Sequence, residues 1–395
     1  MNLKTILNLL PISAGGGLQN TLSFLETLAA DETRRDEVDI YCQKNTVLGE
    51  FCRTHFNHPT LINRGWYPRL DLERRRFSAS LNSNLCFTLF GAPTFGLRRH
   101  FVNVCGCAYS NLLYPEIDFW NSLRGFGYLR KQMIDFIRRK SLKSADFWIF
   151  ETEVLQRRAV RLFNFPSKRV AVVKMAPSGL VSRARIDPIV RADYDHLLRP
   201  GYRFLMLAGS HANKQQALVP ALMEELQKFG CPDFSFVTTM NEADPYARRV
   251  IAEVKSRRLE RYWTNIGTVR SSDCPSLIDA CDAVVCLSRL ESFSNNFVEA
   301  WQLRRPLVVT DGDWSRAACG TAAIYVDPLQ PKRCAAALQN LVESPTEQIR
   351  LVEEGINALK SYHTPKSKYE AYWDALEIAR TAGFCSSRER ANIRW

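Results

Sequence analysis

The chain has 395 residues, more than one ordinary hydrophobic core needs, and this length favours about two domains. Hydrophobic residues make up 46% and charged residues 24%, a composition that excludes a disordered or fibrous protein. No run of about 18 apolar residues occurs, so no transmembrane helix is predicted. The formal net charge is +12. Most of it lies in residues 1–180, where 25 Lys and Arg accompany 15 Asp and Glu, and this half is expected to attract an anionic partner.

The amino terminus and the cysteines bear on the compartment. Lys4 and the apolar residues 5–12 loosely resemble a secretory signal, but Asn8 and Pro11 interrupt the stretch. We therefore expect a first buried strand that runs into a Gly-rich turn. The twelve cysteines are scattered and match neither a disulfide framework nor a usual zinc site. Free thiols are typical of a reducing compartment, so the cytoplasm is expected.

Short apolar runs alternate with helical patterns along the chain. In the first half, strands are predicted within 5–12, 38–41, 84–90, 100–105, 146–150 and 169–173. Helices are predicted between them at 18–30, 124–143 and 153–163. In the second half, a helix is predicted at 215–229, and strands at 202–208, 234–238, 263–266, 283–287, 307–310 and 323–326. This alternation predicts an α/β fold with parallel sheets covered on both faces.

Two such series predict two doubly wound domains, with Pro and Gly punctuating residues 177–199 between them. The expected boundaries are 1–180 for the first domain and 181–365 for the second. Residues 366–395 are expected to form a C-terminal helix and tail that crosses back to the first domain. Because ligands bind beyond the carboxyl ends of parallel strands, we expect a site in a cleft between the two domains.

The segment 283–300 carries the strongest chemical signal. A buried strand ends near Leu287, a polar loop holds Glu291, and a helix begins at Ser294 or Asn295. The free N–H groups of that first turn, together with the helix dipole, suit a diphosphate. Glu299 lies early in the same helix, where a carboxylate can accept hydrogen bonds from sugar hydroxyls.

This segment resembles a known signature. Two Glu residues with seven residues between them, and Phe293 two places after the first Glu, are similar to the motif of family-4 retaining glycosyltransferases with the GT-B fold. The flanking segments 277–288, 299–311 and 323–328 agree with the same family. The resemblance is close from 277 to 328 and looser from 144 to 215. It implies two Rossmann-like domains that face each other across a cleft, the first binding the acceptor and the second the nucleotide-sugar.

The resemblance also implies roles for particular residues. Glu299 would hold the ribose of the nucleotide, and Glu291, taken as the catalytic residue, would contact the donor sugar. The backbone N–H groups of Ser294, Asn295 and Asn296 would bind the diphosphate. No metal ion or other cofactor is implied, because this fold normally works without one.

Two further donor-binding elements follow from the same resemblance. Lys214 matches the family's phosphate-binding lysine, whereas Ser210 stands where the family carries an arginine that His211 or another basic residue would have to replace. Gly16 and Gly17 match the amino-terminal glycine loop, where glycine lets the backbone approach a phosphate.

The family's histidine near the reacting carbon has no counterpart in this sequence. The corresponding stretch, 102–110, contains Cys105 and Cys107 but no His, and His100 lies before it. A reaction in which the leaving phosphate deprotonates the acceptor does not need that histidine, and we favour it.

The basic segment 124–143 allows two interpretations. Its apolar side chains, among them Phe126, Leu129 and Met133, could pack on the sheet while its cations face solvent. Alternatively the helix could lie on an anionic membrane, aided by the basic run 74–76. The dispersed basic residues do not form a recognisable nucleic-acid-binding module, so no nucleic-acid partner is expected.

The resulting hypothesis is a hexosyltransferase that moves a sugar from a nucleotide-sugar donor to a glycan or lipid-linked glycan, in cell-surface polysaccharide or lipopolysaccharide synthesis. It would work in the cytoplasm, with peripheral contact at the inner face of the membrane as the second possibility. The alternatives are a non-catalytic GT-B binding protein and a sugar-nucleotide epimerase. Donor sugar, base and acceptor are not specified by the sequence.

Overall fold

The computed structural model describes residues 4–12, 15–75, 83–91, 101–120, 123–231 and 233–394. His100 and the side chains of the basic run 74–76 lie outside this description. The chain forms two compact units, one made of residues 1–176 and 363–395 and the other of residues 177–362.

The first unit is built on a parallel sheet with the strand order β3-β2-β1-β4-β5-β6-β7. Its strands are β1 (Lys4–Asn8), β2 (Val38–Gln43), β3 (Thr60–Ile62), β4 (Ser83–Thr88), β5 (Val102–Gly106), β6 (Phe147–Phe150) and β7 (Val170–Val172). Its helices up to this point are α1 (Gly15–Ala30), α2 (Glu32–Arg35), α3 (Val47–His55), α4 (Trp66–Arg75), α5 (Ser110–Leu113), α6 (Gly125–Ser144) and α7 (Glu153–Phe163). The central strand β1 pairs with both β2 and β4, which confirms the predicted first buried strand.

The second unit repeats this plan, with the strand order β10-β9-β8-β11-β12-β13. Its strands are β8 (Tyr202–Met206), β9 (Phe234–Thr238), β10 (Trp263–Asn265), β11 (Ala283–Cys286), β12 (Leu307–Thr310) and β13 (Ile324–Val326). Its helices are α8 (Pro188–Leu197), α9 (Val219–Lys228), α10 (Pro245–Ser256), α11 (Cys274–Asp279), α12 (Asn295–Gln302), α13 (Asp313–Cys319), α14 (Pro331–Glu343) and α15 (Pro345–Leu359). The strands β9 and β11 are fully buried and β12 nearly so, and all three are rich in Val or Phe, as parallel strands covered on both faces are.

The last two helices, α16 (Pro365–Ala382) and α17 (Ser387–Asn392), belong to the first unit. The ring of Tyr369 on α16 lies 5.2 Å from that of Phe24 on α1, within the core of this unit. Beyond α16, the buried Arg390 forms an ion pair with Asp146, at the start of β6. Buried aromatic packing and a buried ion pair therefore hold the C-terminal segment to the first sheet.

Two parallel sheets flanked by helices confirm the predicted α/β class with two Rossmann-like domains. The strand β3 was not predicted, because its three half-buried residues are too few to show a hydrophobic period. Among the described helices, none is both long and apolar enough to cross a bilayer.

Candidate functional site

The second unit has a topological switch point between β8 and β11. From β8 the strand order runs outward through β9 to one edge, and from β11 it runs through β12 to the other. Because β8 and β11 are parallel neighbours, the loops after them leave the same edge of the sheet side by side. Ligands of doubly wound sheets bind in the crevice at such a point. Lys214, Glu291, Ser294 and Glu299 all lie in the segments that follow these two strands.

Three hydrogen bonds connect the two loops at the switch point. The Arg289 N–H donates to the carbonyl of Asn213 at 2.8 Å, and the Asn213 side chain donates to the carbonyl of Leu290 at 2.9 Å. The Asn296 side chain, in the first turn of α12, donates to the carbonyl of Leu207 at 2.8 Å. The loops are thus held to each other by protein contacts. The connecting role of Asn213 has no signature in the sequence, because it depends on a neighbour 77 residues away.

Lys214 and Glu291 form an ion pair across the same two loops. Burial acts against the Lys214 charge, but the carboxylate of Glu291, helped by Cys286, outweighs it and raises the pKa of Lys214 above its usual value. Lys214 is therefore a cation at neutral pH. The sequence assigned these two residues to different parts of a ligand, whereas the structure shows that they bind each other.

The start of α12 has the features of an anion site. Ser294 occupies the N-cap position in an extended conformation, and its side chain makes no capping hydrogen bond. The Ser294 hydroxyl instead lies 3.7 Å from the Cys286 thiol. No acidic residue lies in the first turn of this eight-residue helix. The N–H groups of a helix start and the positive end of its dipole favour an anion there.

Glu299 is buried one turn further along α12, with only 3% of its surface exposed. Its Oε1 atom has no hydrogen-bond partner among the described residues. Burial raises the pKa of Glu299 to about 7. A buried carboxylate oxygen without a partner is costly, on the order of 1–3 kcal/mol or more, unless a ligand supplies the missing donor. The sequence placed Glu299 near the helix start, and the structure adds that it is buried and lacks this donor.

In the loop after β8, Ser210 and His211 lie where the family carries its phosphate-binding arginine. The Ser210 hydroxyl accepts a hydrogen bond from the N–H of Asn241 at 2.9 Å, so it connects this loop to the loop after β9. The Nδ1 atom of His211 accepts from the N–H of Asn213 at 3.1 Å and caps the short turn that carries Lys214. Both side chains shape the loop through backbone contacts.

The glycine motif lies in the first unit, after β1, where the strand order also reverses. The structure corrects its conformation: Gly15, Gly16 and Gly17 are the first turn of α1 rather than a separate loop. The carbonyl of Gly16 accepts a hydrogen bond from the Asn20 side chain at 2.8 Å. Gly15 has a φ of +68° and is the position whose conformation favours glycine, whereas the sequence singled out Gly16 and Gly17.

The end of β5 contains thiols where the family carries a histidine: Cys105 lies in the strand and Cys107 follows it. Burial raises the pKa of Cys107 to about 12 and that of Cys105 well above its usual value. Both thiols are therefore neutral at physiological pH and cannot act as bases. All twelve cysteines are free in the structure, and eleven of them are buried.

Comparison with known proteins extends these observations. Residues 203–344 match the family model described as Glycosyl transferases group 1. Sucrose-phosphate synthase from Thermosynechococcus elongatus superposes with a TM-score of 0.70 at 15% identity, over 96% of this chain and 100% of that one. HepE from Anabaena, solved with UDP and glucose, gives 0.67 at 14% identity, over 95% and 99% of the two chains. WaaG, a glycosyltransferase involved in lipopolysaccharide biosynthesis, gives 0.64 at 13%, over 93% and 98%. No curated protein matches the chain by sequence.

These likenesses define the class: the chain has the GT-B fold of glycosyltransferases. Within this fold, the stretch that matches the model of Glycosyl transferases group 1, residues 203–344, includes the switch-point residues from Lys214 to Glu299. The GT-B fold that the resemblance of the Glu291–Glu299 segment implied is therefore confirmed, and the family model that matches this segment is one of group 1 glycosyl transferases.

Proposed function

We propose that the protein is a retaining hexosyltransferase that moves a sugar from a nucleotide-sugar to a glycan or lipid-linked glycan acceptor. The observation that carries the proposal is Glu299, a buried carboxylate with an oxygen that has no hydrogen-bond partner among the described residues. It lies one turn from the start of α12, which has no side-chain cap. A nucleoside diphosphate offers what both groups lack, since its ribose hydroxyls are donors and its phosphates are anions. That HepE was solved with UDP supports the choice of a uridine nucleotide as first candidate.

Different residues of the second unit would bind different parts of the nucleotide-sugar. The first turn of α12, from Ser294 to Asn296, and the cation of Lys214 would hold the diphosphate. Glu299 would accept hydrogen bonds from the ribose, and Glu291 would contact the donor sugar once Lys214 exchanges its carboxylate for phosphate. The positive end of the α12 dipole and the Lys214 ammonium can balance the charge of the diphosphate. We therefore propose that no metal ion or other cofactor is required.

The chemical step we propose keeps the configuration of the anomeric carbon. The bond from that carbon to the phosphate oxygen breaks, and the acceptor oxygen bonds to the same face. The acceptor proton passes to the departing phosphate oxygen. The neutral, buried Cys105 and Cys107 support this route, since neither thiol can take the proton at physiological pH. We further propose that the first unit binds the acceptor, and that the reaction serves cell-surface polysaccharide or lipopolysaccharide synthesis in the cytoplasm, at the inner face of the membrane.

Calorimetry with UDP tests the binding part of the proposal. Wild-type protein is expected to bind UDP, and Glu299→Gln is expected to weaken binding by roughly tenfold to 100-fold, the equivalent of one charged hydrogen bond. The exposed Glu353→Gln on α15 is the matched control and should bind as the wild type does. Equal affinity for UDP in wild type and Glu299→Gln would remove the basis of the proposal.

Turnover tests the catalytic part. A panel of nucleotide-sugars is incubated with the protein, and release of the nucleoside diphosphate is measured with and without a membrane extract as acceptor. Wild type should release the diphosphate from one donor, and Glu291→Gln should not. Binding of UDP without any turnover would instead favour the non-catalytic GT-B binding protein. Conversion of the donor to an epimer would favour the epimerase.

A further inference from the structure

The helix α6 exposes an apolar stripe. Five large apolar side chains on it are between 53% and 82% exposed: Phe126, Leu129, Met133, Phe136 and Ile137. An α-helix turns about 100° per residue, so these positions fall on one face about 100° wide. A contiguous apolar face of this kind on a folded protein indicates an interaction surface.

The opposite face of α6 is fixed to the first unit. Asp135, about 180° from Phe126 around the helix, is buried. Its carboxylate accepts hydrogen bonds from the indole of Trp120 at 2.6 Å and from the Asn111 side chain at 2.9 Å. Arg138 adds a third contact to it at 3.0 Å. Arg138 belongs to α6 itself, whereas Trp120 and Asn111 lie outside it. The bonds from these two residues set the rotation of the helix, so the apolar stripe faces outward. The interpretation in which α6 packs its apolar residues on the sheet is therefore wrong.

Cations flank the stripe. The helix carries six Lys and Arg residues, and its single acidic residue is the buried Asp135. Both Arg130 and Lys140 are exposed; Arg130 lies just outside one edge of the stripe, about 40° from Phe126, and Lys140 lies on the same face as the stripe, one turn beyond Phe136 at its C-terminal end. The Lys140 ammonium lies 5.5 Å from the ring centre of Phe136, so its charge sits at the border of the apolar stripe. An apolar face bordered by cations complements the acyl chains and anionic headgroups of a bilayer.

We propose that α6 docks the protein on an anionic lipid bilayer, with the helix lying in the plane of the interface. The charge distribution selects this partner. A second copy of the chain would bring the same cations together across a two-fold axis, whereas an anionic surface attracts them. The inference goes beyond sugar transfer, because docking on lipid needs neither the donor site nor catalysis.

Co-sedimentation of the full chain with vesicles tests this surface. Vesicles of phosphatidylcholine alone are compared with vesicles that contain about 30 mol% phosphatidylglycerol, at about 0.1 M and about 0.5 M salt. The protein should sediment with the anionic vesicles at the lower salt. Binding should fall several-fold at the higher salt and be weak on neutral vesicles. No sedimentation with anionic vesicles at low salt would overturn the proposal.

Two sets of variants assign the binding to α6. The triple variant Phe126→Ser, Leu129→Ser, Met133→Ser should bind at least about tenfold more weakly. The control replaces three comparably exposed apolar residues of the second unit, Ile189, Leu329 and Ile349, by Ser, and should bind within about twofold of wild type.

Charge reversal provides the second comparison. Arg130→Glu with Lys140→Glu should abolish binding, whereas Lys332→Glu with Arg333→Glu on α14 should not. All these side chains are exposed, so circular dichroism is expected to show unchanged folding in each variant. Unchanged vesicle binding by the α6 variants would overturn the proposal. So would a wild-type dimer, seen by analytical ultracentrifugation, that the triple variant dissociates while vesicle binding stays absent.

Discussion

In the first unit, the buried cations Arg390, Arg169 and Lys368 all have hydrogen-bond partners, whereas in the second unit the buried carboxylate of Glu299 has an oxygen without one. Arg390 pairs with Asp146, and Arg169 donates to Glu389 at 3.1 Å. Lys368 on α16 donates to the Asn20 side chain at 2.7 Å. Among the described residues of the second unit, Glu299 is the one charged side chain that is buried.

The difference separates two uses of buried charge. In the first unit, the partners of Arg390, Arg169 and Lys368 come from segments more than 200 residues apart in sequence, so these contacts hold the C-terminal segment to the sheet. Glu299 holds nothing in place through Oε1 and raises the cost of folding. A buried charge that satisfies protein partners serves the fold, and one left unsatisfied is available to a ligand. Removing the two kinds should therefore change stability in opposite directions.

The largest effect is expected from Arg390→Met on α17. The variant leaves the buried carboxylate of Asp146 without its ion-pair partner and removes the hydrogen bonds that the guanidinium donates to the carbonyls of Lys143 and Ala145. Removing one member of a buried charged pair typically costs about 3–5 kcal/mol. Urea unfolding at neutral pH should therefore show a loss of about 3 kcal/mol.

Arg388→Met is the matched control, because Arg388 is exposed on the same helix and should change stability by less than about 0.5 kcal/mol. If Arg390→Met proved as stable as wild type, the buried arginine would not hold the C-terminal segment to the sheet, and the contrast between the two units would fail.

Glu299→Gln should do the reverse. The pKa of this carboxyl is 4.5 in the unfolded chain and about 7 in the folded protein. Below pH 4.5 the carboxyl is protonated in both the folded and the unfolded state, so burying it costs no free energy of ionisation. Between these two values the unfolded chain ionises first, so the folded protein loses stability as pH rises. Above about pH 7 the full penalty, up to about 3 kcal/mol, is present.

Glutamine does not ionise, so the gain in stability of Glu299→Gln should reach up to about 3 kcal/mol at about pH 8 and nearly vanish near pH 4.5. Thermal melts across this range measure it, with the exposed Glu353→Gln as reference. A variant less stable than wild type at about pH 8 would mean that Glu299 makes a stabilising contact in the folded protein.

Removing either member of the Lys214–Glu291 ion pair tests whether Lys214 binds the phosphates of the ligand. Lys214→Met should weaken UDP binding about tenfold, the loss of about 1.4 kcal/mol of a charged contact. Glu291→Gln frees Lys214 from its competitor and should strengthen UDP binding a few-fold while it lowers turnover of the nucleotide-sugar. Calorimetry on both variants gives the comparison. Parallel weakening of UDP by the two substitutions would show that Lys214 acts only as the partner of Glu291.

The smallest effect is expected from Asn296→Ala. Its side chain makes one hydrogen bond, to the carbonyl of Leu207, and the net worth of such a bond is about 1 kcal/mol. Urea unfolding should show a loss of that size. Gln339→Ala, which breaks an exposed hydrogen bond to Glu343, should cost clearly less. Equal losses would mean that the connection between the two switch-point loops adds no stability.

Much of the fold could be predicted because parallel strands carry their signal locally. Strands such as β8 and β11 are short apolar runs, and these runs alone predict the strands at 202–208 and 283–287. The edge strand β3 was not predicted, because three half-buried residues are too few to show a period in hydrophobicity. For the helix α6, periodicity showed an apolar face but not its direction. The direction follows from Asp135 and its partners, which are fixed only in the folded unit.

The sequence alone determined the alternation of strands and helices, the family resemblance of the Glu291–Glu299 segment, and the list of residues able to bind a nucleotide-sugar. These depend on residue type and spacing along the chain. Only the tertiary structure decided that Lys214 pairs with Glu291, that Glu299 is buried with an unsatisfied oxygen, and that the apolar stripe of α6 faces outward. Burial and pairing depend on which distant segments meet, and no local pattern contains that information.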